Sequence, residues 1–214
     1  MYAAFVFAAL SLTACKGEST DTEENNEENQ EVVEQTPTTY NVIAEDSKLG
    51  WKGTWVAPTG EDGAMEEQKF HTGTVQITEG SVTQDGDEIT GNFVVDMTSM
   101  NVTDLTEADG KPKLEGHLAS EDFFNVSEYA KVNVAVNGVK DGMADITVDV
   151  LGNKMDETIA VETSMEGDKM MMNGNFTVDF AALGFQMFSP NPEKPEEGNI
   201  DSNIEFNLKT TLSK

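Results

Sequence analysis

Arginine is absent from this chain of 214 residues, and cysteine and histidine are scarce. Its 13 bases are all lysine, they face 40 acids, and the formal net charge is -27. Without arginine the chain lacks the planar fork that clamps phosphate in a bidentate way, so any phosphate site would rest on lysine and backbone N–H groups. A surface this negative disfavours nucleic acid and anionic headgroups and favours solubility. The single cysteine, Cys15, excludes an intrachain disulfide. His71 and His117 are the only imidazoles, and neither stands in a zinc-ligand spacing. Acidic turns such as Asp85-Gly86-Asp87 complete no calcium loop and read as solvated turns. No nucleophile elbow, P-loop or dinucleotide fingerprint is present. A nucleophilic mechanism would need a Ser–His pair drawn from distant segments. These absences point away from an enzyme: no catalytic residue, metal ligand or cofactor is expected.

Long apolar runs are missing as well, with one exception. Residues 3–14 read AAFVFAALSLTA and end at Cys15. The run has the length of an export signal and is too short to cross a bilayer as a helix. The tetrad Leu12-Thr13-Ala14-Cys15 resembles the lipobox of bacterial lipoproteins, in which the cysteine becomes the acylated N-terminus. Residues 1–14 are therefore expected to be a signal peptide and Cys15 the lipidation site and membrane anchor. Residues 16–39, rich in Glu, Asn and Thr, lack the apolar content to offset their ordering entropy. With Cys15 they read as an acidic disordered tether, 15–39, removable without loss of fold. Such a tether would reach roughly 25–30 Å.

From Tyr40 to Lys214 the pattern becomes short alternating runs punctuated by Gly, Asp and Asn turns, which is all-β punctuation. Period-two alternation marks one buried and one wet face. The inward candidates are Ile89, Phe93, Val95 and Met97, then Val132, Val134 and Val136, then Ile146, Val148 and Val150. Further along they are Ile159, Val161 and Met165, then Met170, Met172, Phe176, Val178 and Phe180, and finally Ile200, Ile204, Phe206, Leu208 and Leu212. Gln84–Asp87, Lys140–Gly142 and Glu166–Asp168 fit hairpin connections. Tyr40–Trp55 and Phe70–Val82 supply the first strands, and residues 110–120, with Pro112 near the start, fit a short helix. About eight antiparallel strands suggest a sandwich or a closed barrel, and closure would remove exposed edges. Aromatic residues spread over all the strands, and five methionines fall within 155–172. Either a packed core or an apolar cavity with an adaptable wall accounts for them.

Several segments resemble the YceI-like family of lipid- or polyisoprenoid-binding barrels. Gly116-His117-Leu118 with Asp122-Phe123-Phe124, followed by Tyr129 and a new strand, is the most specific. Tyr40-Asn41-Val42 with Ser47 and Trp51, His71-x-Gly73-x-Val75, Gly91–Ser99, Ala144–Val161 and Asn175–Phe185 extend the likeness over roughly 40–212. The family often has Arg before its late Gly-hydrophobic pair. This chain has Val178-Asp179-Phe180 ahead of Gly184-Phe185, and its Ala57–Gln68 insert is unusually acidic.

The resemblance implies a lipocalin-like antiparallel β-barrel of about eight strands with one short helix. It implies a cavity for a long apolar isoprenoid, an isoprenoid quinone or polyprenyl phosphate, bound, stored or carried without chemistry. The cavity candidates are Trp51, Trp55, Phe93, Val95, Met97, Leu118, Phe123, Phe124, Val134, Val148, Ile159, Met172, Phe176, Phe185 and Phe206. If residues 123 and 124 are extended, one ring should face the core and the other the cavity. The expected partners are the isoprenoid lipid and, through Cys15, a membrane. The expected place is the bacterial envelope, at the outer membrane, facing the periplasm or the surface. The rivals are a solid-cored stress or adhesion module and a lipid hydrolase or isomerase. A cavity speaks against the first, and a buried His–carboxylate pair at its mouth would speak for the second.

Overall fold

The computed structural model describes residues 36–59, 63–182, 184, 185, 188, 191 and 193–214. The expected signal peptide, Cys15 and the tether as far as residue 35 lie outside the described residues. So does Pro190 of the Pro-rich loop. Within the described residues the strands are β1 (Thr38–Val42), β2 (Lys48–Thr59), β3 (Ala64–Asp85) and β4 (Glu88–Val102). The helix α1 (Lys111–Ala119) follows, with Pro112 in its first turn. Then come β5 (Lys131–Lys140), β6 (Met143–Val150), β7 (Asn153–Ala160), β8 (Glu162–Glu166), β9 (Lys169–Asp179), β10 (Asn199–Ile200) and β11 (Asn203–Ser213). The first strand starts at Thr38, slightly ahead of the boundary expected at Tyr40.

Every pairing is antiparallel, and the pairings close a circuit. Neighbouring strands pair from β2 through β3, β4, β5 and β6 to β7. β7 runs on into β8, β8 pairs with β9, β9 with β11, and β11 returns to β2. β1 lies between β11 and β3, on the line of β2. β1 with β2, and β7 with β8, therefore act as two interrupted strands, and the barrel has eight strand positions, as the alternation led one to expect. A 3-10 turn at Ala44–Asp46 makes the first interruption. Ser47, buried just after it, donates from Oγ to the Thr211 carbonyl at 3.2 Å and accepts the Thr211 N–H at 3.0 Å. This pins the break to β11. The motif Asp96-x-x-Ser99 has a similar purpose. Ser99 donates to the Asp96 carbonyl at 2.6 Å and accepts the Gln76 N–H at 2.7 Å, where the β3–β4 register shifts.

Two apolar clusters fill the ends. Tyr40, Val82, Ile89, Met170 and Leu212 belong to the first, near the β3–β4 and β8–β9 turns. Leu118 of α1 and Phe123, Phe180, Phe185 and Phe188 belong to the second, on the side of the long connections. The β5–β6 turn carries Asp141 and Gly142 at φ 52 and 77, a left-handed pair suited to the twist of a tight hairpin.

Two expectations, at Met165 and at Phe123 with Phe124, need correction. Met165 is exposed (48%), because β8 pairs only with β9 and all its residues face solvent. The acidic Ala57–Gln68 stretch continues the β2–β3 ladder, pairing Val56 with Glu67, Ala57 with Glu66 and Thr59 with Ala64. Residues 121–124 form turns, not an extended segment, so the argument for opposite-facing rings at Phe123 and Phe124 does not hold.

Candidate functional site

The barrel is not filled by its side chains. It encloses a cavity of about 440 Å³ whose wall is almost wholly apolar. That size falls within the roughly 300–1,000 Å³ usual for small-molecule sites. The inward phase of each strand delivers the lining: Leu49 and Trp51 from β2, Val75 and Ile77 from β3, Phe93, Val95 and Met97 from β4. Val132, Val134 and Val136 of β5 and Ile146, Val148 and Val150 of β6 continue it. Of the residues expected there from the sequence, Trp51, Trp55, Phe93, Val95, Met97, Leu118, Phe123, Phe124, Val134, Val148, Ile159, Met172, Phe176 and Phe206 line this one cavity. Phe185 does not. It is buried in the second cluster with its ring 5.4 Å from Phe180, and it is Phe180 that reaches the lining. Gly184, at φ 86, turns the chain just before Phe185 and sets the ring behind the wall.

Aromatic packing shapes the cavity's helix end. The Phe123 and Phe124 rings meet edge to face at 4.8 Å, and Phe123 also meets Phe188 at 5.5 Å. The His117 ring lies 5.8 Å from Phe123. Phe176 and Phe206 stack at 5.4 Å across β9 and β11. Trp51 lies flat against β3 at Gly73, where an added Cβ would collide with the indole. The glycine of His71-x-Gly73-x-Val75 is thus a space requirement of Trp51. The Trp51 Nε1–H is sealed from solvent and cavity alike and has no partner among the described residues.

Polar groups on the lining are few: Thr54, Lys69, His71, His117 and Glu157. Lys69 sets its Nζ 5.5 Å from the Trp55 ring centre, a cation over an aromatic face. His71 Nδ1 lies 2.8 Å from Asp104 Oδ2, and Asp104 Oδ1 accepts the Thr72 N–H at 2.8 Å. An ionised carboxylate only accepts, so Nδ1 carries the proton and a neutral His71 offers a lone pair at Nε2. Burial pushes the Asp104 carboxyl upward, but the Thr72 N–H and His71 pull it further the other way, and it ends below its ordinary value. The pair is half-exposed, with side chains 32% and 24% accessible, and no hydroxyl or thiol hydrogen-bonds to His71 among the described residues. Sequence reading missed His71 as a lining residue, Asp104 as its partner, and Glu157. Glu157 was legible in principle, since it shares the parity of Met155 and Ile159 on β7.

Comparison with known proteins supplies the rest. The YceI-like domain matches residues 40–212. Among curated proteins none matches the sequence. BcnA of Burkholderia cenocepacia is similar in structure, with a TM-score of 0.53 at 12% identity, over 79% of this chain and 98% of that one. The Campylobacter jejuni YCEI protein aligns with a TM-score of 0.42 at 13% identity, over 58% of this chain and 72% of that one.

Proposed function

We propose that this chain, which belongs to the YceI-like family, binds a long apolar isoprenoid lipid in its barrel and stores or carries it without chemical change. The observation that carries the reading is the apolar cavity of about 440 Å³. A solid-cored barrel would have no such space. Each ligand CH₂ withdrawn from water contributes about 0.8 kcal/mol, so a chain of many carbons binds tightly with few polar contacts. Methionine and aromatic side chains give a wall that adapts to a flexible guest. The His71–Asp104 pair is the feature that a lipid hydrolase would need, but among the described residues no hydroxyl or thiol hydrogen-bonds to His71, which favours the binding reading.

The chain is placed by this reading in the bacterial envelope, held at the outer membrane by acyl chains on Cys15. The support is the Leu12-Thr13-Ala14-Cys15 tetrad and the acidic stretch that follows. Stable anchoring needs more than one acyl chain, which a lipoprotein cysteine supplies. Cys15→Ser should move the protein to the soluble fraction on cell fractionation, and a mutant still in the membrane pellet would rule out this anchor. The binding itself is tested by native mass spectrometry with lipid extraction on protein purified from envelopes. A bound mass that extraction identifies as an isoprenoid is expected. Protein that carries no lipid and takes up none from isoprenoid-containing vesicles would overturn the function.

A further inference from the structure

The geometry points to a second feature of the cavity. We propose that the seam between β7 and β9 holds the polar end of the guest, with Glu157 as its anchor, and that this end is an uncharged hydrogen-bond donor, a hydroxyl. The inference rests on the binding reading above and narrows it.

Among the described residues, β7 and β9 are neighbours in the circuit that no ladder joins. β7 pairs with β6 over its whole length, from Met143↔Ala160 to Val150↔Asn153. Its other edge faces β9, yet among the described residues no ladder joins the two. The β8–β9 ladder stops at Glu162↔Asn173, and from Gly174 to Asp179 β9 is paired only with β11. The strands still touch at the base of the seam, where a Cβ on Gly174 would strike the Ala160 carbonyl. The register of β8 and β9, carried on past Glu162, would set Glu157 against Val178.

Among the described residues, Glu157 is the only carboxylate on the cavity lining. It lies half-buried between Met155 and Ile159, which line the cavity on either side of it. Nearby acids are engaged: Thr147 donates to Asp156 and Thr158 to Asp145, each at 2.6 Å. Glu157 has no hydrogen-bond or ion-pair partner among the described residues. A lone carboxylate in an apolar wall is a local cost that Val or Ile would not carry. An unpaired strand edge is another. Both costs fall at the same place, and a hydrogen-bond donor on the guest would relieve the first.

The chemistry of the acceptor selects the guest. An ionised carboxylate accepts hydrogen bonds and donates none. A phosphate would be repelled there, and a quinone carbonyl has no proton to give, whereas a hydroxyl does. His71, with Nδ1–H committed to Asp104, likewise offers only a lone pair while it is neutral. The sealed Trp51 N–H cannot compete as a donor, because the guest cannot reach it, and the Lys69 ammonium is placed over the Trp55 ring.

The test compares three probes with the same chain: geranylgeraniol, its methyl ether and its monophosphate. The readout is quenching of Trp51 and Trp55, the chain's only tryptophans, both on the cavity lining. Wild-type protein should bind the alcohol about tenfold more tightly than the ether, the worth of one charge-assisted hydrogen bond, with the phosphate weakest. Glu157→Leu should bring alcohol and ether level. Glu157→Gln, of the same shape, should keep part of the alcohol preference and admit the phosphate. Equal binding of alcohol and ether by the wild type, or a preference that survives Glu157→Leu, overturns the anchor and leaves the binding function standing. If none of the three moves the tryptophan emission of the wild type, the binding function falls and the anchor with it.

Discussion

At the scale of single residues, the informative positions are those where one side chain sets the geometry of another. Gly73 has its Cα under the Trp51 indole, and an added Cβ would also strike the Asn101 carbonyl on β4. Neither backbone can yield easily, so Gly73→Ala should displace the indole and cost about 1–3 kcal/mol, the usual range for overpacking. Thermal unfolding and tryptophan emission check this together; an unchanged melting temperature with an unchanged spectrum would contradict it. Asp104 governs His71 in the same way. Its carboxyl sits lower in the folded protein than its ordinary value of 3.8. A lowered folded pKa means stability that is fully present above the ordinary value and lost as pH falls through the lower one. The stability difference between wild type and Asp104→Asn should therefore shrink as the pH falls below about 4. Denaturant titrations on either side of that pH measure it, and a gap that widens in acid would be the wrong sign. Burial and exposure of these groups depend on which strands become neighbours, so His71 with Asp104 could not be paired from sequence spacing alone.

At the scale of elements, alternation carried most of the legible information. Ile89 to Met97, Val132 to Val136 and Ile146 to Val150 all point inward as their period-two pattern requires. The pattern failed where a strand stops being a wall. Met165 keeps the parity of Val161, but β8 is a short ribbon with one neighbour, and parity there does not select a buried face. Phe123 and Phe124 failed for another reason: the hydrogen bonds Phe123 N–H to Ser120 and Phe124 N–H to Leu118 coil the segment, so both rings reach the cavity. The β7–β9 seam was invisible because missing pairings leave no mark in either strand's own sequence. Strand β1 offers a test at this scale. Thr38 and Thr39 pair with Gln84 and Thr83, and the two threonine hydroxyls of Thr39 and Thr83 meet at 3.0 Å. A chain starting at Pro37 should melt like the full-length protein, whereas one starting at Tyr40 should lose about 1–2 kcal/mol of stability. Equal stability of the two shortened chains would show that the barrel's order begins at Tyr40 after all.

At the scale of the whole molecule, the fold has to hold together against its own charge. The chain carries 40 acids and only 13 lysines. Some lysines are engaged in surface pairs, such as Lys52 with Glu205 at 3.0 Å and Lys131 with Glu79 at 2.6 Å. Exposed pairs of this kind contribute little. The remaining acids repel one another across a small closed surface, and a compact state with large net charge is destabilised by that repulsion. Added salt acts on both terms with opposite signs, weakening the pairs and screening the repulsion. From residue 36 onward the acids still far outnumber the lysines, so relief of repulsion should win. The melting temperature should therefore rise by several degrees between about 10 mM and about 500 mM sodium chloride, as the screening length falls to a few ångström. A chelator in every sample separates general screening from binding of a divalent cation by the acidic turns. A flat or falling melting temperature would mean that the lysine pairs, few as they are, outweigh the repulsion among the acids.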